Sequence, residues 1–239
     1  MGINISVVGA TGRMGQLAIS LIEQDSNLSL HSALSSKNAL SESLGADLVM
    51  DFTNPDASVN VANFVIDNDM RLVVGTSGWT KEKLENVQKR ISTSKATVTI
   101  IPNFSIGSVL ASKFAAEAAK YFDQIEIVET HHPKKLDAPS GTALFTSQII
   151  SEARGGNPAT PVTEGNKAPL FNGIPITSLR IEGAHAEQEV LLAQPNELLY
   201  LKHSVSSHQV YADGILLAIN KTMQLSGLTV GLLPLLEEK

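Results

Sequence analysis

From the N-terminus to Ile101, short apolar runs of strand length alternate with stretches in which apolar residues recur every three or four positions. The runs predict strands at Ile3–Val8, Leu28–Leu34, Leu48–Phe52, Arg71–Val74 and Val98–Ile101. The recurrences predict helices over Met14–Gln24, Ala57–Asn68 and Lys81–Ser92. Strands that are apolar on both faces, joined by helices, form a parallel sheet covered on both sides. Ligands on such sheets bind beyond the carboxyl ends of the strands.

The second half has a different rhythm. Gly107–Phe122 predicts a helix, Ile125–Thr130 a strand, and Thr142–Arg154 a helix. Gly155–Gly173 is rich in Gly, Pro, Asn and Thr and reads as a long loop. Ile176–Ile181, Glu187–Ala193 and Leu198–Ser204 then read as strands without intervening helices, which implies antiparallel or mixed pairing. A final helix over Tyr211–Leu225 carries Ile215, Leu216, Ile219 and Met223 as a stripe. The pattern gives an α/β fold of two parts. One is a Rossmann-type parallel-sheet domain over residues 1–104 and 210–239. The other is an α+β domain with a mixed or antiparallel sheet over residues 105–209.

Composition narrows the class. Hydrophobic residues are 43% and charged residues 18% of the 239, enough for a sizeable core. The net charge of −6 gives no basic footprint for nucleic acid. With no cysteine, disulfides, cysteine–zinc sites and thiol nucleophiles are excluded. The six histidines show no metal-type spacing with carboxylates, so no metal is expected. No segment has the ~20 apolar residues of a membrane helix, and no signal peptide is visible, so a cytoplasmic protein without membrane contact is expected. Met1-Gly2 with Ser6 formally fits an acylation pattern, but Ile3 already begins a buried strand and the match reads as chance.

Two motifs carry chemistry. Between the first strand and first helix lies Gly9-Ala10-Thr11-Gly12-Arg13-Met14-Gly15. Glycines three apart at this junction let the backbone turn tightly and approach a pyrophosphate, which then faces the helix N-terminus. The second motif is Glu129–Ala143, ETHHPKKLDAPSGTA. It leaves a strand and enters a helix with an imidazole pair, fixed positive charge and the N–H groups of a helix start. That set suits a small substrate bearing carboxylates.

These motifs, with Asp51-Phe52-Thr53, Gly75-Thr76 and Asn103-Phe104-Ser105, resemble the 4-hydroxy-tetrahydrodipicolinate (dihydrodipicolinate) reductase family over essentially the whole length. The resemblance implies NADH- or NADPH-dependent reduction of 4-hydroxy-tetrahydrodipicolinate, via dihydrodipicolinate, to tetrahydrodipicolinate on the route to diaminopimelate and lysine. It implies a homotetramer built through the second domain's sheet. It places His131 as proton donor and Lys135 as a second donor that also contacts substrate. Substrate-binding positions fall at His132, Ser140, Gly141, Thr142 and Ser77. Cofactor positions fall at Gly9, Ala10, Thr11, Gly12, Arg13 and Met14 around the pyrophosphate. Ser35 and Ser36 lie toward the adenosine ribose, and Gly75, Thr76, Ser77, Ile101, Pro102, Asn103 and Phe104 toward the nicotinamide.

Three positions depart from the family. The acidic residue common at the end of the second strand is Ser35 here, followed by Ser36 and Lys37, which points toward NADPH. Gly-Thr-Thr becomes Gly75-Thr76-Ser77, and a late Ser-Ser-Arg becomes Ser206-Ser207-His208. Two other readings stay open on sequence alone: a non-catalytic dinucleotide-binding sensor, and a different reductase of small dicarboxylates.

Overall fold

The computed structural model describes residues 2–160 and 168–237. The central part of the loop read at Gly155–Gly173, residues 161–167, lies outside the described residues. The chain divides into two compact units, residues 1–105 with 211–239, and residues 106–210.

In the first unit, β1 (Ile3–Val8), β2 (Leu28–Leu34), β3 (Leu48–Asp51), β4 (Arg71–Val74) and β5 (Thr97–Ile100) alternate with α1 (Arg13–Gln24), α2 (Pro55–Asp67) and α3 (Lys81–Ile91). Helix α2 begins two residues before the predicted start. Pro55 occupies its first turn, where no N–H is needed, and the Asn54 side chain accepts from the N–H groups of Asp56 and Ala57. All strand pairs are parallel, as the doubly apolar runs require. Val8, Leu34, Val49, Leu72, Val74, Val98 and Ile100 pack with Val61, Val65 and Val87 in one core.

The second unit contains α4 (Ile106–Ala118), β6 (Gln124–His131), α5 (Gly141–Ala153), β7 (Leu170–Phe171), β8 (Ile174–Arg180), β9 (Ala186–Gln194) and β10 (Glu197–Val205). Its sheet is mixed, in the order β10-β9-β6-β8-β7. β6 and β8 are parallel, whereas β9 is antiparallel to both β6 and β10. The hairpin β7–β8, which the sequence reading absorbed into a loop, turns at Asn172-Gly173, both at positive φ (53° and 77°). An Asn-Gly pair favours that geometry. Ile125, Ile127, Ile174, Ile176, Val190 and Leu192 form this unit's core with Ala143 and Ile150 of α5.

The chain then returns to the first unit. Helix α6 (Ala212–Thr222) packs on α1, β4 and β5, and β11 (Gly227–Val230) adds to the free edge of β5, followed by α7 (Leu233–Glu237). The first sheet therefore has six strands, ordered β11-β5-β4-β3-β1-β2. Neither β11 nor α7 was expected: three residues between two glycines carry too little periodicity, and β11 is defined by its pairing with β5.

The three glycines of the first motif have different reasons to be glycine. Gly9 sits at φ 84°, and a Cβ there would lie 2.5 Å from the Phe52 carbonyl oxygen. A Cβ at Gly15 would lie 2.3 Å from the Gly9 carbonyl oxygen, so the helix could not approach the turn. At Gly12 the nearest atom to a Cβ is at 3.4 Å. We expect Gly15→Ala to lower the melting temperature clearly, by about 2–4 °C for each kcal/mol in a chain this size, and Gly12→Ala to lower it much less. Equal losses in a thermal melt would contradict this division.

Candidate active site

The alternation of β6 puts Ile125, Ile127, Glu129 and His131 on one face. The first two are core residues, and the last two carry that face past the end of the hydrophobic layer. Glu129 is fully buried. Its Oε2 lies 2.5 Å from His131 Nδ1. Arg180, paired with His131 in the β6–β8 register, forks onto the same carboxylate, with Nη2 at 3.0 Å from Oε1 and Nη1 at 3.1 Å from Oε2. The guanidinium also donates to the carbonyls of Asp137 (2.6 Å) and Lys135 (3.4 Å). In the loop after β6, Lys135 donates to both carboxylate oxygens of Asp137 at 2.8 Å.

The loop ends in α5. Ser140 is its N-cap, with Oγ accepting from the Ala143 N–H at 3.2 Å, and no acidic side chain sits in the first turn. A Cβ at Gly141 would meet nothing within 4 Å, so the backbone there is open to approach. Below this, Thr146 Oγ1 donates to the Thr142 carbonyl and receives the Gln188 amide, which ties α5 to β9.

Burial pushes the His131 imidazole below its ordinary value, and the Glu129 carboxylate opposes this without reversing it. Burial would raise Glu129. Hydrogen bonds from Arg180, Ser178 and His131 outweigh that and hold it below the usual carboxylate value.

The first unit has its own buried carboxylate at a strand end. Asp51 Oδ1 accepts from the Thr53 N–H (3.0 Å) and Thr53 Oγ1 (2.5 Å), while Oδ2 accepts from Thr76 Oγ1 (3.0 Å) and from Ser58 Oγ. One carboxylate thus joins the loops after β3 and β4. Phe52 and Phe104 pack tilted with ring centroids 5.9 Å apart. A Cβ at Gly75 would lie 2.4 Å from Phe52 and 2.9 Å from Phe104, so these rings require the glycine. At the start of α1, Gly12 caps without a side chain and no acidic residue follows in the first turn, which leaves a helix start suited to an anion.

Family profiles described as dihydrodipicolinate reductase, N-terminus and C-terminus, match residues 3–104 and 107–235. The chain belongs to the dihydrodipicolinate reductase family. A 4-hydroxy-tetrahydrodipicolinate reductase from Clavibacter michiganensis subsp. michiganensis is 43% identical over 236 residues, 97% of this chain and 85% of that protein. One from Mycolicibacterium vanbaalenii is 39% identical over 243 residues, covering 98% and 99%. The solved structure of a dipicolinate-bound dihydrodipicolinate reductase from Paenisporosarcina sp. TG-14 superposes with TM-score 0.84 at 31% identity, covering 97% and 98%.

Within this reductase frame, the structure brings together His131, Lys135 and the Ser140–Thr142 start of α5 in one unit. His132 is exposed beside them, and its carbonyl accepts from the Lys135 N–H. Thr11, Gly12, Arg13, Ser36, Ser77 and Pro102 are exposed, whereas Ala10, Thr76, Ile101 and Phe104 are buried. The Phe104 side chain is therefore a packing group, and the loop offers backbone at that position. Ser35 is tied into its own turn: its N–H and hydroxyl both donate to Asn38 Oδ1 (3.0 and 2.9 Å). Gly9 and Ala10 both donate to the Leu34 carbonyl, which sets the glycine turn beside that serine.

On sequence alone Glu129, Asp51 and Arg180 have no assigned role. The available signal was the period of β6, which puts Glu129 on the core face where a carboxylate needs a partner.

The two shifts act in the same direction on acid stability. The folded His131 lies below 6.5, so the unfolded chain binds its proton first and stability falls as pH drops through 6.5. The folded Glu129 lies below 4.5, so its contribution is present above that value and is lost as pH falls further. We expect the melting temperature to fall in two stages on acidification. His131→Asn should flatten the first stage without abolishing it, because burial also lowers His203. An unchanged pH profile in calorimetry of that variant would remove His131 as a source.

Proposed function

We propose that this reductase holds its dinucleotide on the first unit and its substrate on the second. The reaction is NAD(P)H-dependent reduction of 4-hydroxy-tetrahydrodipicolinate, via dihydrodipicolinate, to tetrahydrodipicolinate in diaminopimelate and lysine biosynthesis. A nicotinamide, when bound, supplies the hydride. The chain's own residues bind, orient and protonate.

The observation that carries this assignment is the convergence within one loop of His131, Lys135 and the start of α5. The substrate is a small dicarboxylate. Lys135 and the N–H groups of Gly141 and Thr142 are suited to one carboxylate. Lys135 rests on Asp137, so substrate binding exchanges one carboxylate partner for another. Hydride addition to a conjugated imine builds negative charge at an adjacent carbon, and His131 quenches it with a proton. In the resting site burial favours the neutral ring. A dianionic substrate beside it favours the protonated form, so the acid is loaded where it is used.

On the first unit, Gly9 to Met14 hold the pyrophosphate against α1, while Gly75–Ser77 and Ile101–Phe104 border the nicotinamide. The open face of the second sheet supports a homotetramer: Leu179, Leu198 and Tyr200 are 38–53% exposed on the face that also carries Val128 of β6 and Leu191 of β9.

His131→Ala should lower kcat by ~10²–10⁴-fold, the usual worth of a general acid, with dinucleotide affinity unchanged. Lys135→Ala should lower kcat and raise substrate KM by one to two decades, about the value of a charge-assisted hydrogen bond. The assay is NAD(P)H oxidation with the substrate generated in place by dihydrodipicolinate synthase. Full turnover in both variants would end this assignment.

We further propose that NADPH serves at least as well as NADH. A carboxylate at the end of β2 would repel a 2′-phosphate, and Ser35 stands there instead. Ser36 and Lys37 are exposed beside it, and Arg13 follows the second glycine. Ser35→Asp should shift the kcat/KM ratio toward NADH. A wild type that strongly favours NADH, or a variant with the same ratio, would refute this.

A further inference from the structure

The carboxylate that grips His131 is itself gripped. A carboxylate removed wholly from water needs a counter-charge and saturated lone pairs. Arg180 supplies both to Glu129 through its fork, and Ser178 adds a hydroxyl. The same guanidinium holds the carbonyls of Lys135 and Asp137, on either side of Leu136. One planar group therefore bears on the charge of Glu129 and on the backbone that carries Lys135.

We propose that Glu129 and Arg180 are positioning residues for the reduction: Glu129 fixes the ring and tautomer of His131, and Arg180 locks that carboxylate to the Lys135 loop. This rests on His131 being the proton donor. An ionised carboxylate only accepts, so Nδ1 carries hydrogen whether the ring is neutral or charged. The exchangeable proton of catalysis is then on Nε2. The Nδ1–H form is the minor neutral tautomer of histidine in water, so Glu129 imposes a state the ring does not hold alone. The charged groups around the ring are Glu129, Arg180 and Lys135, with Asp137 behind the lysine. A lysine at position 180 would keep the charge but could not span the carboxylate and both carbonyls.

The test combines a spectroscopic and a kinetic readout on the full-length enzyme. Imidazole ¹⁵N spectra, with the His131 signals identified by their loss in His131→Asn, should show the Nδ1–H tautomer above its titration. Glu129→Gln should shift the population toward Nε2–H. It should also lower kcat by about tenfold to a hundredfold, less than loss of the acid itself, with KM and pyridine-2,6-dicarboxylate affinity within threefold. In a His131→Ala background the same change should cost nothing further. Arg180→Lys should lower kcat and raise KM together, because it also releases the Lys135 loop. An Nε2–H tautomer in the wild type overturns the proposal even if neither the Glu129 nor the Arg180 variant folds. So does Glu129→Gln with kcat within twofold of wild type, or a loss that adds fully to that of His131→Ala. Full turnover in His131→Ala would remove the proton donor and the proposal with it, and the wild-type tautomer distinguishes that failure from a failure of geometry.

Discussion

Two carboxylates without access to water organise this molecule, one at the carboxyl end of a strand in each unit. Asp51 and Glu129 are both fully buried. An ionised group in that position is tolerated only when every lone pair finds a donor. For Asp51 the donors come from Thr53, Ser58 and Thr76. For Glu129 they come from His131, Ser178 and Arg180. The loops after β3, β4 and β6 take their shapes from meeting these demands, and the last two carry candidate site residues, Ser77 and Lys135 among them.

The solution differs between the units in a way that fits their tasks. Asp51 is saturated by neutral donors, which tie two loops and the first turns of α2 together. Glu129 is held by a guanidinium and an imidazole, one permanently charged and the other able to titrate. Rigidity suits the dinucleotide site proposed for the first unit. A titratable ring suits the substrate site proposed for the second. Around each carboxylate the apolar layer ends, so polar groups appear where the strands emerge from the core.

Much of this was legible in one dimension. Apolar runs gave β1 and β4 at their observed ends because buried parallel strands tolerate little else, and Leu28 and Leu34, the buried ends of β2, marked that edge strand. The loop from His131 to Thr142 stood out because histidine, lysine and a capping serine rarely gather without a task. Glu129 and Arg180 escaped notice because they lie 51 positions apart, and nothing local says that β6 and β8 are neighbours. The two-residue strand β7 was hidden among loop-forming residues, although its Asn172-Gly173 turn was a readable signal. β11 has almost no signal of its own, since it exists as a completion of β5.

That last strand bears on how the protein is made. The first unit is discontinuous: β5 ends at Ile100, and its outer neighbour begins at Gly227. A nascent chain emerging from the ribosome exposes the N–H and C=O groups of β5 as a bare sheet edge until the whole second unit has been synthesised. Such an edge invites pairing with other chains. The second unit, by contrast, is continuous in sequence and can close on itself while the first is still waiting. Completion of the first unit's sheet therefore waits on the C-terminal segment, which acts as the seal on the N-terminal unit.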